Sequence, residues 1–231
     1  MIFRQLFEPE TSSFTYLLGC EGTRLAVLID PVLATIERDL EELKRHGLTL
    51  AWTVETHIHA DHVTGAGVLR GRTGCKVAAT PGAEGADLIV GEGAPIEAGS
   101  IRLQPLATPG HTDDHHCYFV EAAGTGRVFT GDTLLIDGCG RTDFQGGDAA
   151  TLYSSVHGKI FALPEDTLVY PGHDYQGRRV SSVAQERARN PRLGGGKTVE
   201  EFAAIMAGLG LPRPKQIDVA VPANRCCGGA G

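Results

Sequence analysis

The chain has 231 residues, of which 42% are hydrophobic, and a formal charge of -7 at pH 7. This length can bury a substantial core, so we expect a single domain over residues 1–231, with an irregular tail from about residue 212. The acidic balance and the lack of a run of Lys or Arg exclude binding to nucleic acid or to an anionic membrane surface, so small molecules are the expected partners.

The expected cellular location and the state of the cysteines follow from the same composition. No stretch has the length and hydrophobicity of a transmembrane helix, and residues 1–8 lack the apolar core of a signal peptide. We therefore expect a cytoplasmic protein. The six cysteines are scattered and form no zinc ribbon, so most are expected to be free thiols.

The first quarter of the chain predicts a small sheet covered by a helix. Strand-forming residues between turn signals predict an antiparallel meander with strands at residues 2–7, 14–18 and 24–29. Apolar residues at helical spacing predict a helix over residues 36–47, and residues 48–55 have the composition of a buried strand.

The rest of the chain alternates strands with helices. Strands are predicted at residues 76–79, 101–106, 116–120, 127–130 and 168–170. Helices are predicted at residues 148–162, 180–189 and 198–209. The last of these begins with Thr198 and Glu201 in the spacing of a capping box.

Four side chains of the metal-ligand type follow the buried strand, at His57, His59, Asp61 and His62. Imidazole and carboxylate groups are costly to bury unless each has a partner, and a metal ion is a common partner for this combination. The end of a strand holds such ligands rigidly, which favours a metal site. A solvated polar loop is the alternative interpretation.

Three later strand ends carry residues of the same kind. His111 and His173 each follow a Pro-Gly turn, and Asp132 follows the strand at residues 127–130. Taken singly, each histidine has the alternative of a surface turn residue, and Asp132 that of a turn residue or helix cap. Their repetition at strand ends predicts that they converge with the first cluster on a metal centre.

The order of these motifs resembles the metallo-β-lactamase superfamily. The segments that carry the resemblance are residues 56–62, 109–112, 130–133 and 171–173. The resemblance implies an α/β fold in which two mixed sheets flanked by helices form an αββα sandwich, with metal in the cleft between the sheet edges. Because the reactions of the superfamily are diverse, the fold alone does not define the activity.

Finer segments resemble one family of that superfamily, the persulfide dioxygenases. They are residues 129–135, 138–145, 173–175, 186–193 and 217–224. The resemblance implies an oxidoreductase of sulfide catabolism, which uses O2 and water to oxidise glutathione persulfide to sulfite and glutathione.

The same resemblance assigns roles to single residues. It places one Fe(II) per chain at His57, His111 and Asp132, a set that leaves open coordination positions for a persulfide and O2. Zn(II) has no redox chemistry and is not expected. The resemblance places His59, Asp61, His62 and His173 in the outer shell of this metal. In a hydrolase with two metals, the same four residues would be ligands of the second metal.

Glutathione persulfide carries two carboxylates, so an acidic protein needs hydrogen-bond donors at the substrate site. Arg141, Tyr175 and Arg192 match glutathione-contacting positions of the resembling family. The alternative for the two arginines is that they form ordinary ion pairs that hold loops together. The sequence does not define the oligomeric state, and a homodimer is kept as one option.

Two other functions stay open on the sequence. A glyoxalase II type hydroxyacylglutathione hydrolase would hold two metals with the same seven ligand-type residues, although residues 138–144 and 220–224 argue against it. A non-enzymatic metal-binding or redox-binding protein is the third interpretation. It is disfavoured because all seven ligand-type residues are present.

Two local features carry alternatives of their own. His115 is an alternative ligand near His111, but we expect it to lie in a loop and to point away, before a strand that starts at His116. The adjacent Cys226 and Cys227 invite a redox interpretation. Adjacent cysteines seldom form an unstrained disulfide, so packing of small residues is favoured.

Overall fold

The computed structural model describes residues 1–229, which form two compact units. The first unit comprises Met1–Leu103 and the chain from Arg213 onward, and the second comprises Gln104–Pro212. No helix among the described residues is long and apolar enough to cross a bilayer.

The elements are numbered in chain order. The strands are β1 (Ile2–Glu8), β2 (Ser13–Gly19), β3 (Leu25–Ile29), β4 (Thr49–Val54), β5 (Lys76–Ala79), β6 (Leu88–Ile89), β7 (Ile96–Ala98), β8 (Ile101–Ala107), β9 (His116–Ala122), β10 (Thr125–Gly131), β11 (Leu168–Pro171) and β12 (Ser181–Ser182). The α-helices are α1 (Ile36–Arg45), α2 (Ala66–Thr73), α3 (Ala149–Ser155), α4 (Val183–Arg189), α5 (Val199–Ala207) and α6 (Ile217–Arg225).

The first unit is built on a mixed sheet with the strand order β1-β2-β3-β4-β5-β6. The first three strands are antiparallel neighbours, and β4, β5 and β6 continue parallel to β3. The predicted meander is therefore confirmed, and so is the strand predicted after it, although β4 is only partly buried. Because β3 and β4 are parallel, their carboxyl ends lie at the same edge of the sheet, where Asp30 and His57 follow them.

Helices α1 and α2 share an apolar core with this sheet. Leu43 of α1 and Leu69 of α2 pack in one cluster with Leu17 and Leu28 of the strands. All four side chains are buried, and the burial of each contributes about 1.5–3 kcal/mol to the free energy of folding. The core therefore holds α1 and α2 against the sheet.

The chain after residue 212 differs from its prediction. An irregular tail was expected, and residues 217–225 form the helix α6 instead. Pro222 lies inside this helix, where proline removes a backbone donor and disfavours helix formation. Contacts with the rest of the first unit outweigh this local preference. Of the predicted tail, Ala230 and Gly231 lie outside the described residues.

The second unit contains strands β8 to β12 in sequential order, counting β8 from Gln104. Only β10 and β11 run parallel among these neighbours, so this sheet is also mixed. Its core includes Leu152 of α3, Val183 of α4 and Phe202 of α5, all completely buried. The capping box predicted at Thr198 and Glu201 is present at the start of α5.

Gly110, the residue before His111, is held in position by the close approach of two backbone segments. Gly110 has a positive φ of +133°, and a Cβ on it would lie 2.3 Å from Leu152 Cα. Glycine alone fits such a contact. The backbone N–H of Asp148 also donates to the Gly110 carbonyl at 2.9 Å, so the turn is fixed against the start of α3.

A buried carboxylate organises the loop after β11. Asp174 Oδ2 accepts the backbone N–H groups of Gln176 (3.0 Å) and Arg178 (2.6 Å), and Oδ1 accepts Nε (3.0 Å) and Nη2 (2.8 Å) of Arg178. Burial alone would raise the pKa of Asp174, but these hydrogen bonds outweigh burial and lower it. The loop thereby holds the neighbouring His173 in place.

We predict that Asp174→Asn lowers the free energy of unfolding by about 1.5–3 kcal/mol at pH 7, because charge-assisted hydrogen bonds to buried groups are lost. The native pKa is lowered below its usual 3.8, so the carboxylate contributes stability above that pH. That contribution is lost as the pH falls through the native pKa. Thermal unfolding of both proteins should therefore show a difference at pH 7 that persists down to about pH 3.8 and shrinks below it.

The matched control is Asp166→Asn, which removes an exposed carboxylate of the same unit. It should leave the melting temperature at pH 7 near that of the wild type. An Asp174→Asn difference that stays unchanged as the pH is taken well below 3.8 would contradict the electrostatic origin of the effect.

Candidate metal centre

Backbone anchoring by Asp30 fixes the start of the histidine loop in the first unit. The N–H of Thr56 donates to Asp30 Oδ1 at 2.7 Å, and its hydroxyl donates to Oδ2 at 2.9 Å. The same hydroxyl lies 3.0 Å from Nδ1 of His57. With Nδ1 engaged in this contact, Nε2 of His57 is the nitrogen suited to a metal ion.

The histidine side chains of this loop are buried and pack ring against ring at tilted angles. Ring centroids lie 4.1 Å apart for His57 and His59 and 4.3 Å apart for His59 and His62. Asp61 Oδ2 lies 3.0 Å from Nδ1 of His62. His59, Asp61 and His62 each offer a ligand atom, and these atoms lie within 4.8 Å of one another.

Two buried carboxylates hold the ring of His59. Its Nε2 lies 3.2 Å from Asp30 Oδ1 and 3.6 Å from Glu55 Oε2. Burial lowers the pKa of His59, but the charge and hydrogen bond of Asp30, with the charge of Glu55, outweigh burial and raise it to about 10. Burial and the charge of Asp30 also raise the pKa of Glu55. Carboxylates in this position orient an imidazole and increase its basicity.

The second unit brings its own ligand-type residues together around Asp132. His111 Nε2 lies 3.5 Å from Oδ2 of this carboxylate, and His173 Nε2 lies 3.6 Å from Oδ1. These separations are too long for hydrogen bonds. They approach the distance between two ligands that each lie about 2.1 Å from one metal ion in tetrahedral geometry. The buried Oδ1 of Asp132 has no hydrogen-bond partner among the described residues, which fits a cation in this position.

A backbone carbonyl selects the metal-binding nitrogen of His111. Its Nδ1 lies 2.7 Å from the carbonyl oxygen of Arg141, so this nitrogen carries the proton and Nε2 keeps its lone pair. The loop reaches this position because residue 140 is glycine. A Cβ on Gly140 would lie 2.7 Å from His111 Nδ1 and 2.5 Å from the Asp132 carbonyl oxygen.

His115 supports the backbone of this site. Its ring is completely buried, Nε2 accepts the N–H of Asp132 at 3.1 Å, and Nδ1 lies 3.0 Å from Thr133 Oγ1. None of the metal-ligand groups found among the described residues includes His115. His116 begins β9 as predicted. The pair of histidines therefore belongs to the framework of the second unit.

The guanidinium of Arg141 is engaged within its own unit. Nε and Nη2 donate to the two oxygens of Asp143 at 2.6 and 2.8 Å, and Nη1 donates to the Pro212 carbonyl at 2.6 Å. The group also lies 4.5 Å from the centre of the Phe144 ring. A pocket adjoins it, lined by Arg141, Thr142, Asp143, Met206, Ala207, Leu209, Gly210 and Leu211.

The other two predicted glutathione contacts have different surroundings. Arg192 is partly buried, and its Nη1 donates to the Cys139 carbonyl at 2.8 Å. Tyr175 is 74% exposed, and its ring stacks parallel to that of His173 with centroids 6.0 Å apart. The structure thus places Tyr175 beside a ligand-type histidine. The substrate-binding roles of all three residues stay predictions.

Sequence reasoning missed the residues that support the histidine loop. Asp30, Glu55 and Asn224 are buried and contact the loop backbone or the ring of His59. The signal for Asp30 is a carboxylate directly after the apolar strand β3, and Glu55 is a carboxylate at the end of the buried strand β4. Asn224 gives no local signal, because the three loop residues that it contacts lie 160 to 165 residues away along the chain.

Comparison with known proteins identifies relatives over the full chain. The Metallo-beta-lactamase superfamily matches residues 9–88 and 83–173. The mouse and human proteins named "Persulfide dioxygenase ETHE1, mitochondrial" are each 52% identical over 231 residues, covering 99% of this chain and 89% of the relative.

A solved structure agrees with both the fold and the family. The crystal structure of ETHE1 from Myxococcus xanthus matches with a TM-score of 0.95 and 54% identity, over 99% of this chain and 100% of that one. The predicted fold class, two mixed sheets flanked by helices, is confirmed. The chain therefore belongs to the metallo-β-lactamase superfamily and, within it, to the persulfide dioxygenase family.

Proposed function

We propose that the protein is a glutathione persulfide dioxygenase of sulfide catabolism. In the overall reaction, GSSH, O2 and H2O give GSH, sulfite and two protons, so the outer sulfur atom is oxidised and O2 is reduced. The observation that carries the proposal is the identity of about one half with persulfide dioxygenases along the whole chain. The two units are proposed to act as one metallo-β-lactamase-like domain.

The proposed ligands of one Fe(II) are His57, His111 and Asp132. Support comes from the engaged Nδ1 atoms of both histidines and from the buried Oδ1 of Asp132 that lacks a hydrogen-bond partner among the described residues. Two imidazoles and one carboxylate suit iron(II) of the facial-triad type. Bound iron(II) supplies redox chemistry that zinc lacks.

The remaining ligand-type residues are proposed to orient this centre. Asp30 and Glu55 hold the ring of His59, and the Asp174 loop holds His173 beside Asp132. Such outer contacts fix the direction of ligand lone pairs and raise ligand basicity. Asp61 and His62, paired with each other, are proposed to contribute in the same way on the side of the first unit.

A thioester hydrolase is the second candidate, because His59, Asp61 and His62 offer three clustered ligand atoms that suit a second metal ion. The two candidates differ in metal number, metal identity and substrate. Full-length similarity to persulfide dioxygenases favours the first candidate.

The direct test is oxygen uptake by the protein purified without exposure to air. We expect glutathione persulfide to start O2 consumption with one sulfite formed per O2, and metal analysis to find one iron per chain. The control is glutathione, which lacks the outer sulfur and should consume no O2. Two zinc ions per chain, together with cleavage of S-lactoylglutathione, would assign the protein to the hydrolases.

Asp132→Asn is expected to lose both iron and oxygen uptake while the fold is retained. The variant keeps the shape of the side chain but removes the anionic ligand, and each unit has its own apolar core. Iron content and circular dichroism are the measurements. Asp113→Asn, an exposed carboxylate two residues after His111, is the matched control and should retain iron. Full iron and activity in Asp132→Asn would make Asp132 a structural residue.

Arg192→Ala or Arg141→Ala is expected to raise KM for glutathione persulfide while bound iron stays unchanged. Loss of a charge-assisted hydrogen bond costs about 1.5–3 kcal/mol, or roughly ten- to a hundredfold in affinity. Tyr175→Phe should have a smaller effect in the same direction. Steady-state oxygen uptake on iron-matched samples measures each KM, and Arg189→Ala on the exposed surface of α4 is the control.

Asp143→Asn separates a direct role of Arg141 from a role in holding its loop. This variant breaks the same ion pair but keeps the guanidinium. An increase in KM equal to that of Arg141→Ala would assign Arg141 to the loop rather than to the substrate. Unchanged KM in both arginine variants would refute the proposed substrate site.

The cellular location and the oligomeric state are also proposals. The mammalian relatives are named as mitochondrial proteins, whereas the sequence of this chain led to the prediction of a cytoplasmic protein. A homodimer stays a prediction, and sedimentation of the purified chain would test it by measuring the mass of the particle.

A further inference from the structure

The side chain of Asn224 in α6 bonds to the histidine loop with its whole amide group. Nδ2 donates to the carbonyl oxygens of His59 (2.9 Å) and His62 (2.8 Å), and Oδ1 accepts the N–H of Thr64 (2.8 Å). The residue is only 5% exposed. All three hydrogen bonds go to one stretch of six residues in the loop that carries the ligand-type side chains.

The end of α6 is itself tightly docked on the same region. The Cys227 carbonyl accepts the N–H of Gly67 at 2.8 Å, in the first turn of α2. Gly228 has a φ of +79°, and a Cβ on it would lie 2.2 Å from the carbonyl oxygen of Thr64. Asn224 therefore acts from a fixed position, because a hydrogen bond and a close backbone contact hold the residues that follow it against the same region.

The loop needs such a partner because residues 57–62 belong to no helix or strand. Carbonyl groups that are buried in a loop cost free energy unless a donor satisfies them. Asp30 fixes the loop before His57 through Thr56, and Asn224 fixes it from His59 to Thr64. His57 lies between the two anchors.

We propose that Asn224 is a positioning residue for the metal centre, which sets the loop backbone and thereby the direction of the imidazoles on it. Its amide group bonds to the loop backbone, so the proposed role is exerted through the loop. The assignment of His57 as a ligand rests on the proposed function. Metal affinity, however, is measurable without the reaction, so the two proposals fail independently.

The first test is the affinity of the full-length protein for Fe(II), measured without air by competition with a colorimetric chelator. Asn224→Asp keeps the size of the side chain and an acceptor for Thr64, but it replaces the donor to the two histidine carbonyls by an oxygen. We expect Fe(II) affinity to fall roughly tenfold or more, the range for lost outer contacts of metal ligands. A role in filling space alone would leave the affinity at the wild-type value.

A second variant perturbs the anchor without a buried charge. Gly228→Ala leaves Asn224 intact but forces the chain end away from Thr64, because the added Cβ would overlap its carbonyl oxygen. We expect weaker Fe(II) binding here as well. In both variants the visible spectrum of bound Co(II) should change, since the direction of the ligands changes and not only their number.

The matched control for general destabilisation is Leu43→Ala in the apolar core of the first unit. It should lower the melting temperature and leave Fe(II) affinity and the Co(II) spectrum unchanged. Wild-type Fe(II) affinity in Asn224→Asp would overturn the proposal, and so would a loss of affinity in Leu43→Ala that matches its loss of stability. A wild-type protein that binds iron but consumes no O2 with glutathione persulfide would overturn only the proposed function.

Discussion

The buried carboxylate of Asp30 is the interaction on which the histidine loop of the first unit depends. It receives two hydrogen bonds from Thr56 and pairs with Nε2 of His59, and its own side chain is almost completely buried. A buried charge is tolerated only when it is fully paired in this way. Because β3 and β4 are parallel neighbours, the carboxylate at the end of one strand meets the histidines at the end of the other.

In the second unit, hydrogen bonds that involve backbone groups orient the ligand-type side chains. The Arg141 carbonyl orients His111, the imidazole of His115 accepts the N–H of Asp132, and the Asp174 loop fixes His173. Glycines allow this crowding, since a Cβ at Gly172 would lie 2.8 Å from Asp132 Oδ1. In both units, the direction of the ligand-type side chains is therefore set by the residues that contact them or their backbone.

The strand-end residues were identifiable from the sequence because the spacing of apolar residues and the residue types of turns are local properties. The capping box at Thr198 and the strand start at His116 were predicted for the same reason. Helix α6 was missed because Pro222 argues against a helix locally, and only tertiary contacts such as those of Asn224 reverse that preference. A buried asparagine whose partners lie 160 to 165 residues away along the chain carries no signal in one sequence.

The surroundings of the two arginines differ in a way that bears on their proposed role as substrate contacts. Arg141 forms a forked pair with Asp143 and donates to the Pro212 carbonyl, so a substrate carboxylate would replace an existing partner and gain little. The only acceptors of the Arg192 guanidinium among the described residues are the carbonyl and sulfur of Cys139. A carboxylate at Arg192 therefore adds a charge-assisted contact without breaking an ion pair. The proposed substrate contacts therefore predict a larger increase in KM for Arg192→Ala than for Arg141→Ala.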